Sequence, residues 1–189
     1  MLPNKVSLGF DTSTSKCTIA VVSGNTILAE KSEEAPKKHA ERLMYLIEDA
    51  LKSAKHDLSH VSSIGVGIGP GNFTGVRVSV ATARGLSLAL SVPAFGVTTF
   101  VRAKKDKIYL SEYQNGIFEQ SIISNIDNLP KTKCNFVIGD KSNLISESLH
   151  IKPLEPIHST ASSIAKIAQE FPMEKSPPKP IYPIHNEFI

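Results

Sequence analysis

The sequence has no tryptophan, few other aromatics and only two cysteines, Cys17 and Cys134. Two distant thiols make no disulfide framework, which sets aside the small disulfide-stapled secreted class and fits a reducing compartment. No apolar run approaches the length needed to span a membrane. The opening "MLPNKVSLGF" lacks the basic stretch and apolar run of a secretory leader, so a cytoplasmic protein is expected. No large charge excess is present either. A formal net charge of +3 permits a nucleic-acid partner without implying one. What remains is a chain of 189 residues with an apolar fraction of 41%, enough to build one good domain or two small lobes around a core.

Period-two patterning places Val6, Leu8 and Phe10 on one face of an opening strand. "KCTIAVVSGNTILAEKSE" reads as two further strands joined at a Gly/Asn turn. In "APKKHAERLMYLIEDALKSAKHD", Leu43, Ile47, Ala50, Leu51 and Ala54 fall on one helical face. A buried strand follows at about 63–68, then the loop "GPGNF", a second helix at about 74–90 and a strand in "VPAFGVTTF". Beyond Thr99 the texture changes. A basic stretch holds Arg102, Lys104, Lys105 and Lys107, read as a solvated loop in preference to a nucleic-acid-steering patch. "KIYLSEYQNGIFEQSII" predicts a hairpin turning at "QNG", "NFVIGD" a short strand, and "STASSIAKIAQEF" a helix capped at Ser159 or Thr160. The last 19 residues carry five prolines and predict an extended tail anchored by Ile181 and Tyr182. The expected division is a first lobe over 1–99 and a smaller second lobe over 100–189 with that tail.

Two stretches are candidates for holding an anion. In "GPGNFTGVR", glycines allow close approach of backbone amides, and the following helix offers its N-terminal donors. Yet no lysine stands where a Walker loop places one, and Phe73 breaks the G-x-G-x-x-G spacing. A tight strand-to-helix turn, with Gly69 and Gly71 in special conformations, is the simpler reading. "FDTST" likewise reads either as a phosphate cradle or as a polar turn satisfying its own backbone. No metal site is expected. The histidines are read as surface residues, and His56 and His60, although four apart, flank a helix end. No nucleophile elbow is present, and neither cysteine has an activating neighbour in sequence. The second helix carries small residues every four positions, at Gly75, Ser79, Ala83 and Ser87. A further small stripe runs through Ala81, Gly85 and Ala89. Small stripes allow close helix approach, against the chain's own sheet or against a partner.

Taken together, "GFDTSTSKCTIAVV", "HAERLMYLIEDAL", "SSIGVGIGPGNFTGVRVSVATARGLSLAL" and "VPAFGVTTF", in that order, resemble the TsaB (YeaZ) family of the tRNA-modification pathway. The resemblance is close over about 5–99 and looser beyond, with echoes in "KIYL", "VIGD" and "KPIY". It implies an α/β fold of the actin-like ATPase (ASKHA, ribonuclease H-like) type, a mixed sheet with packed helices. It also implies a non-catalytic scaffold or activator. Such a subunit pairs with a TsaD catalytic subunit and a TsaE ATPase to add a threonylcarbamoyl group to adenosine 37 of ANN-decoding tRNAs. The alternative is a stand-alone enzyme of the superfamily, a small-molecule kinase or peptidase. Actin-like ATPases hold phosphate at a turn of the type Asp-x-Gly-[ST]. Ser13 occupies the glycine position here, so Asp11, Ser13 and Thr14 are expected to form a degenerate phosphate turn. The loop of Gly69, Gly71 and Gly75 is then structural, and no cofactor or metal is expected. The partner face is expected at Leu43, Met44, Tyr45, Ile47, Gly75, Ser79, Ala83 and Ser87. The same face would form a homodimer in isolation, with tRNA met only through the complex. The chain departs from the family in joining "GVTT" almost directly to the strand ending in Tyr-Leu, so the second lobe is reduced.

Overall fold

Strand β1 (Val6–Asp11) decides the architecture, because both of its faces are buried. Its even residues Val6, Leu8 and Phe10 enter the main apolar cluster, while Gly9 on the opposite face lies against backbone. A strand covered on both sides needs helices on both sides. The structure, a computed structural model, describes residues 5–35, 38–97, 107–110, 113–114, 117–118, 122–125, 127–129, 136–138, 142–154, 159–170 and 177–182.

Strands β2 (Lys16–Ser23) and β3 (Thr26–Glu34) follow β1 as antiparallel neighbours. Helix α1 (His39–Ser53) returns the chain to β4 (Val61–Gly67), which pairs parallel with β1. Helix α2 (Phe73–Leu90) then leads to β5 (Ala94–Val97), parallel to β4. The result is one five-stranded mixed sheet in the order β3-β2-β1-β4-β5. Leu43, Leu46, Ile47, Ala50 and Leu51 of α1 and Ala83 and Leu86 of α2 join the same cluster as Val6, Leu8, Phe10, Ile64 and Val66. Each fully buried aliphatic side chain of this kind contributes roughly 1.5–3 kcal/mol. Outside the core, Arg42 holds Glu33 through two bonds of 2.7 Å, and Lys31 meets Asp49 at 2.9 Å, so α1 is tied to the β3 edge.

The chain divides into two compact units. The first takes in Met1–Thr99 and also His158–Ile181, which corrects the expected assignment of everything after residue 99 to a second lobe. The reason lies in helix α4 (Thr160–Glu170), which covers the sheet face opposite α1 and α2. Ala161 and Ala165 pack on Ala20 and Val22. A Cβ at Gly9 would stand 2.2 Å from the Ala161 carbonyl oxygen, and one at Gly65 2.5 Å from that of Ile164. Only glycine at both strand positions lets the helix come this close. Ser159 caps α4 through the amide of Ser162, and Gln169 at its other end bonds both the N–H and the C=O of Gly24. Of the proline-rich tail, Ile181 donates its amide to the Ile68 carbonyl at 2.8 Å.

The second unit, Phe100–Ile157 with Tyr182–Ile189, contains β6 (Lys107–Leu110) paired with β9 (Ile122–Asn125). Between them in sequence, β7 (Tyr113–Gln114) pairs antiparallel with β8 (Ile117–Phe118); Asn115 and Gly116 of the expected turn lie outside the described residues. Strand β10 (Phe136–Ile138) pairs with β11 (Lys152–Leu154) across helix α3 (Ser142–Leu149). Arg102, Lys104 and Lys105 lie outside the described residues.

Candidate functional site

The two stretches read as separate anion cradles form a single contact. β1 ends at Asp11, and the turn behind it is buried: Asp11 is 3% exposed, Thr12 and Ser13 0%. Both carboxylate oxygens of Asp11 are occupied from within the turn. The Ser13 amide donates to Oδ1 at 3.0 Å and the Ser13 hydroxyl to Oδ2 at 2.7 Å. The glycine loop closes over this turn. The amide of Asn72 donates to the Ser13 carbonyl at 2.6 Å, and the Thr12 hydroxyl donates to the Gly75 carbonyl at 2.7 Å. Cβ atoms would come within 2.1 Å of Asp11 Oδ1 at Gly67, 2.4 Å of the Ser13 carbonyl oxygen at Gly71 and 1.9 Å of the Thr12 carbonyl oxygen at Gly75. The space that glycine leaves for a phosphate in an open cradle is taken here by the chain's own atoms, the Asp11 carboxylate at Gly67 and backbone carbonyls at Gly71 and Gly75.

Of the expected turn residues, Asp11 and Ser13 come together. Thr14 is half-buried and serves locally, accepting from the Lys16 amide. Thr12, which sequence reasoning passed over, is the one whose side chain bonds the glycine loop; its only signal was its place in the hydroxyl run "TST". Gly69 has a positive φ of 91°, as expected of a special turn position. Gly71 has none, and its need for glycine comes from the Ser13 carbonyl. The Asn72 side chain caps α2 by accepting from the Gly75 amide at 3.0 Å. Burial pushes the Asp11 carboxyl above its ordinary range, against the Ser13 hydroxyl, the Ser13 and Thr12 amides and His39, which all favour the charged form.

The expected partner face is divided by the structure. Leu43, Ile47, Ser79 and Ala83 are 0% exposed, and Gly75 lies beneath Thr12. These residues cannot touch a partner. Ser79 donates to the Gly67 carbonyl at 3.1 Å, so the every-four stripe sets how closely α2 lies on its own β4. Ser87 is half-buried and donates to the Val92 carbonyl at 2.6 Å. The solvent side instead shows Met44 and Tyr45 on α1, as expected, and Phe73 and Leu88 on α2, which were missed. Leu88 is 84% exposed, an unusual position for a large aliphatic side chain. Ala81, Gly85 and Ala89 are exposed beside it. The Arg77 guanidinium lies 3.8 Å over the Phe73 ring, and that of Arg42 5.9 Å from the Tyr45 ring centre. The outer side of α1 carries Glu41, Glu48 and Asp49, that of α2 Arg77 and Arg84.

The histidines also need one correction. His39, at the start of α1, is 4% exposed and its Nε2 has no hydrogen-bond partner. It lies near enough to Asp11 to favour that carboxyl's charged form. His60 Nδ1 meets Asp57 at 2.9 Å within the cap of a single 3-10 turn, and His56 Nδ1 meets the Ala54 carbonyl at 2.6 Å. Among the described residues, no group of three or more His, Cys, Asp and Glu side chains is placed to hold a metal ion. The Cys17 thiol is buried and pushed up to about 11 by desolvation and the nearby Glu33. Cys134 lies outside the described residues. No helix among the described residues is long and apolar enough to cross a membrane.

The fold of the chain matches that of solved structures. A protein from Pseudomonas aeruginosa, described as uncharacterized with similarity to peptidase YEAZ, superposes with a TM-score of 0.69 at 24% identity, covering 94% of this chain and 99% of that one. YeaZ from the same organism gives 0.65 at 24% identity, over 87% and 92%. The fold is therefore of the actin-like (ASKHA) α/β type, and the turn after β1 is closed by the chain's own glycine loop. Residues 24–105 match the family described as TsaD, tRNA N6-adenosine threonylcarbamoyltransferase. The tRNA threonylcarbamoyladenosine biosynthesis protein TsaB of Escherichia coli is 30% identical over 59% of this chain and 57% of its own length. That of Bacillus subtilis is 26% identical over 87% and 82%. The chain is therefore similar to proteins of the TsaB (YeaZ) family. It spans about half the length of the first curated relatives it matches, 57% and 44%.

Proposed function

We propose that the chain is a non-catalytic subunit of the machinery that adds a threonylcarbamoyl group to a tRNA adenosine. It acts by pairing with a TsaD-type catalytic subunit through the outer side of α1 and α2. The observation that carries this reading is the exposure of Met44 and Tyr45 on α1 and of Phe73 and Leu88 on α2, read here as one ridge, in a chain whose relatives are named for threonylcarbamoyladenosine biosynthesis. Aromatic and aliphatic anchors flanked by arginine are the composition of an interface centre. A helix of 18 residues is about 27 Å long, and two side by side offer on the order of the 800 Å² per partner of a stable complex.

The sealed turn supports the non-catalytic role. A phosphate group would have to displace Ser13 from Asp11 and lift α2 off Thr12. That argues against a stand-alone kinase of this fold. A TsaE-type ATPase completes the complex, and tRNA is met only once the complex has formed, in the cytoplasm. Without a partner the same ridge pairs two copies of the chain, so homodimer and heterodimer compete. The test is reconstitution: the TsaD-type and TsaE-type proteins of the same organism, with tRNA, ATP and threonylcarbamoyl donor, should modify tRNA only when this chain is added. Calorimetry with the chain alone should show no tight ATP binding. Full modification in its absence, or micromolar ATP affinity for the isolated chain, would overturn the reading.

A further inference from the structure

The bond between Thr12 and Gly75 joins residues far apart in sequence, and it connects the end of β1 to the first turn of α2. Its surroundings leave little freedom. Thr12 is fully buried, the Asn72 amide is held by Ser13, and Gly75 has no room for even a methyl group on the side of Thr12. The Asn72 side chain satisfies a helix-end donor but holds α2 only to itself. Thr12 and Ser13 hold the first turn of α2 and its cap residue to the end of β1, and Ser79 holds the next turn to Gly67. Phe73 at the start of this turn and Arg77 one turn on stack on each other at the N-terminal end of the exposed face.

We propose that Thr12 is a positioning residue for partner binding: its buried hydroxyl fixes the height and rotation of the first turn of α2, and so the direction in which Phe73 and Arg77 face a partner. The turn that an actin-like ATPase spends on a phosphate is spent here on the chain's own helix. Helix rotation matters because ridge packing tolerates little change in angle, and an anchor displaced by about 1 Å loses its pocket. This inference rests on the reading of the α1–α2 ridge as the interface with a TsaD-type subunit.

The experiment compares the full-length chain with Thr12→Val, Thr12→Ser and Leu88→Glu. The affinity of each for the TsaD-type subunit is measured by calorimetry at a temperature where circular dichroism shows every variant folded. Under that condition a merely stability-related role leaves affinity unchanged, because the folded fraction no longer differs. Thr12→Val keeps shape and loses the donor, and should weaken binding by about three- to tenfold, the worth of one hydrogen bond. Thr12→Ser keeps the donor and should restore binding to within about twofold. Should Thr12→Val not fold, Thr12→Cys, with a similar volume and a weak donor, takes its place with the same expected direction. Binding of the Val or Cys variant at wild-type affinity, while Leu88→Glu fails to bind, overturns the role of Thr12 and leaves the interface standing. Wild-type affinity for Leu88→Glu overturns the interface itself, and the proposal with it.

Discussion

Gly75 and Gly85 stand on the same helix, and the same substitution should move stability in opposite directions at the two sites. Replacing a mid-helix glycine by alanine gains about 0.5–1 kcal/mol, because alanine loses less backbone entropy on folding. At Gly85 nothing lies within 4 Å of the added Cβ, so that gain is realised. At Gly75 the Cβ would meet the Thr12 carbonyl oxygen at 1.9 Å and the Thr12 carbonyl carbon at 3.0 Å. A backbone carbonyl at the end of a buried strand does not swing away as a side-chain tip does. Overpacking of this kind costs typically 1–3 kcal/mol, and an overlap this deep belongs at the upper end. Subtracting the propensity gain leaves Gly75→Ala destabilised by about 2 kcal/mol. With roughly 2–4 °C of Tm per kcal/mol for a domain of this size, Gly85→Ala should melt about 1–4 °C higher and Gly75→Ala about 4–8 °C lower. Urea midpoints at constant m value give the comparison without heating. A Gly75→Ala chain as stable as wild type would mean that α2 does not rest on the Thr12 turn, and the account of the sealed site would fail.

Three further outcomes follow from the same residues. The raised Asp11 carboxyl contributes stability that is fully present below its unfolded value near pH 4 and is lost as pH rises through its folded value. Asp11→Asn should therefore flatten the decline of the urea midpoint with rising pH, and parallel profiles would refute this. Glu33 moves the other way: its bonds to Arg42 hold it below the ordinary carboxylate range, so its contribution is present above that range and lost as pH falls. Glu33→Gln should reduce the acid sensitivity of the chain slightly, the pair being exposed. Cys17 should resist iodoacetamide in the native chain at about pH 8 and react in urea, because a buried thiol forms little thiolate; peptide mapping separates it from Cys134.

The sheet and its first two helices were legible because their patterns are local. Val6, Leu8 and Phe10 alternate, Leu43 and Ile47 share a helical face, and "SGN" marks the turn where β2 meets β3. Contacts between distant residues were not legible. Nothing beside Gly9 or Gly65 in sequence announces that α4 lies on them, so α4 was placed in the wrong lobe. Helix α3 and strand β11 are too short for periodicity to mark them. At the site, the glycine loop and the "DTST" turn were each noticed, but the bond from Thr12 to Gly75 that makes them one contact is invisible in one dimension. The helix face failed for a related reason. Small residues mark close approach without saying to what, and α2 has two small stripes. The stripe of Gly75, Ser79 and Ala83 belongs to the chain's own core, and the stripe of Ala81, Gly85 and Ala89 to the surface.

The measurement that bears most directly on the account is the affinity of a doubly charged ridge variant, Tyr45→Glu with Leu88→Glu, for the TsaD-type subunit. Both residues are exposed, at 66% and 84%, so the variant should fold and melt like wild type. Buried against a partner, each new carboxylate would be unpaired and costly. The account predicts loss of binding by at least a hundredfold, together with loss of tRNA modification in the reconstituted system. Wild-type affinity with full modification by the double variant would contradict it.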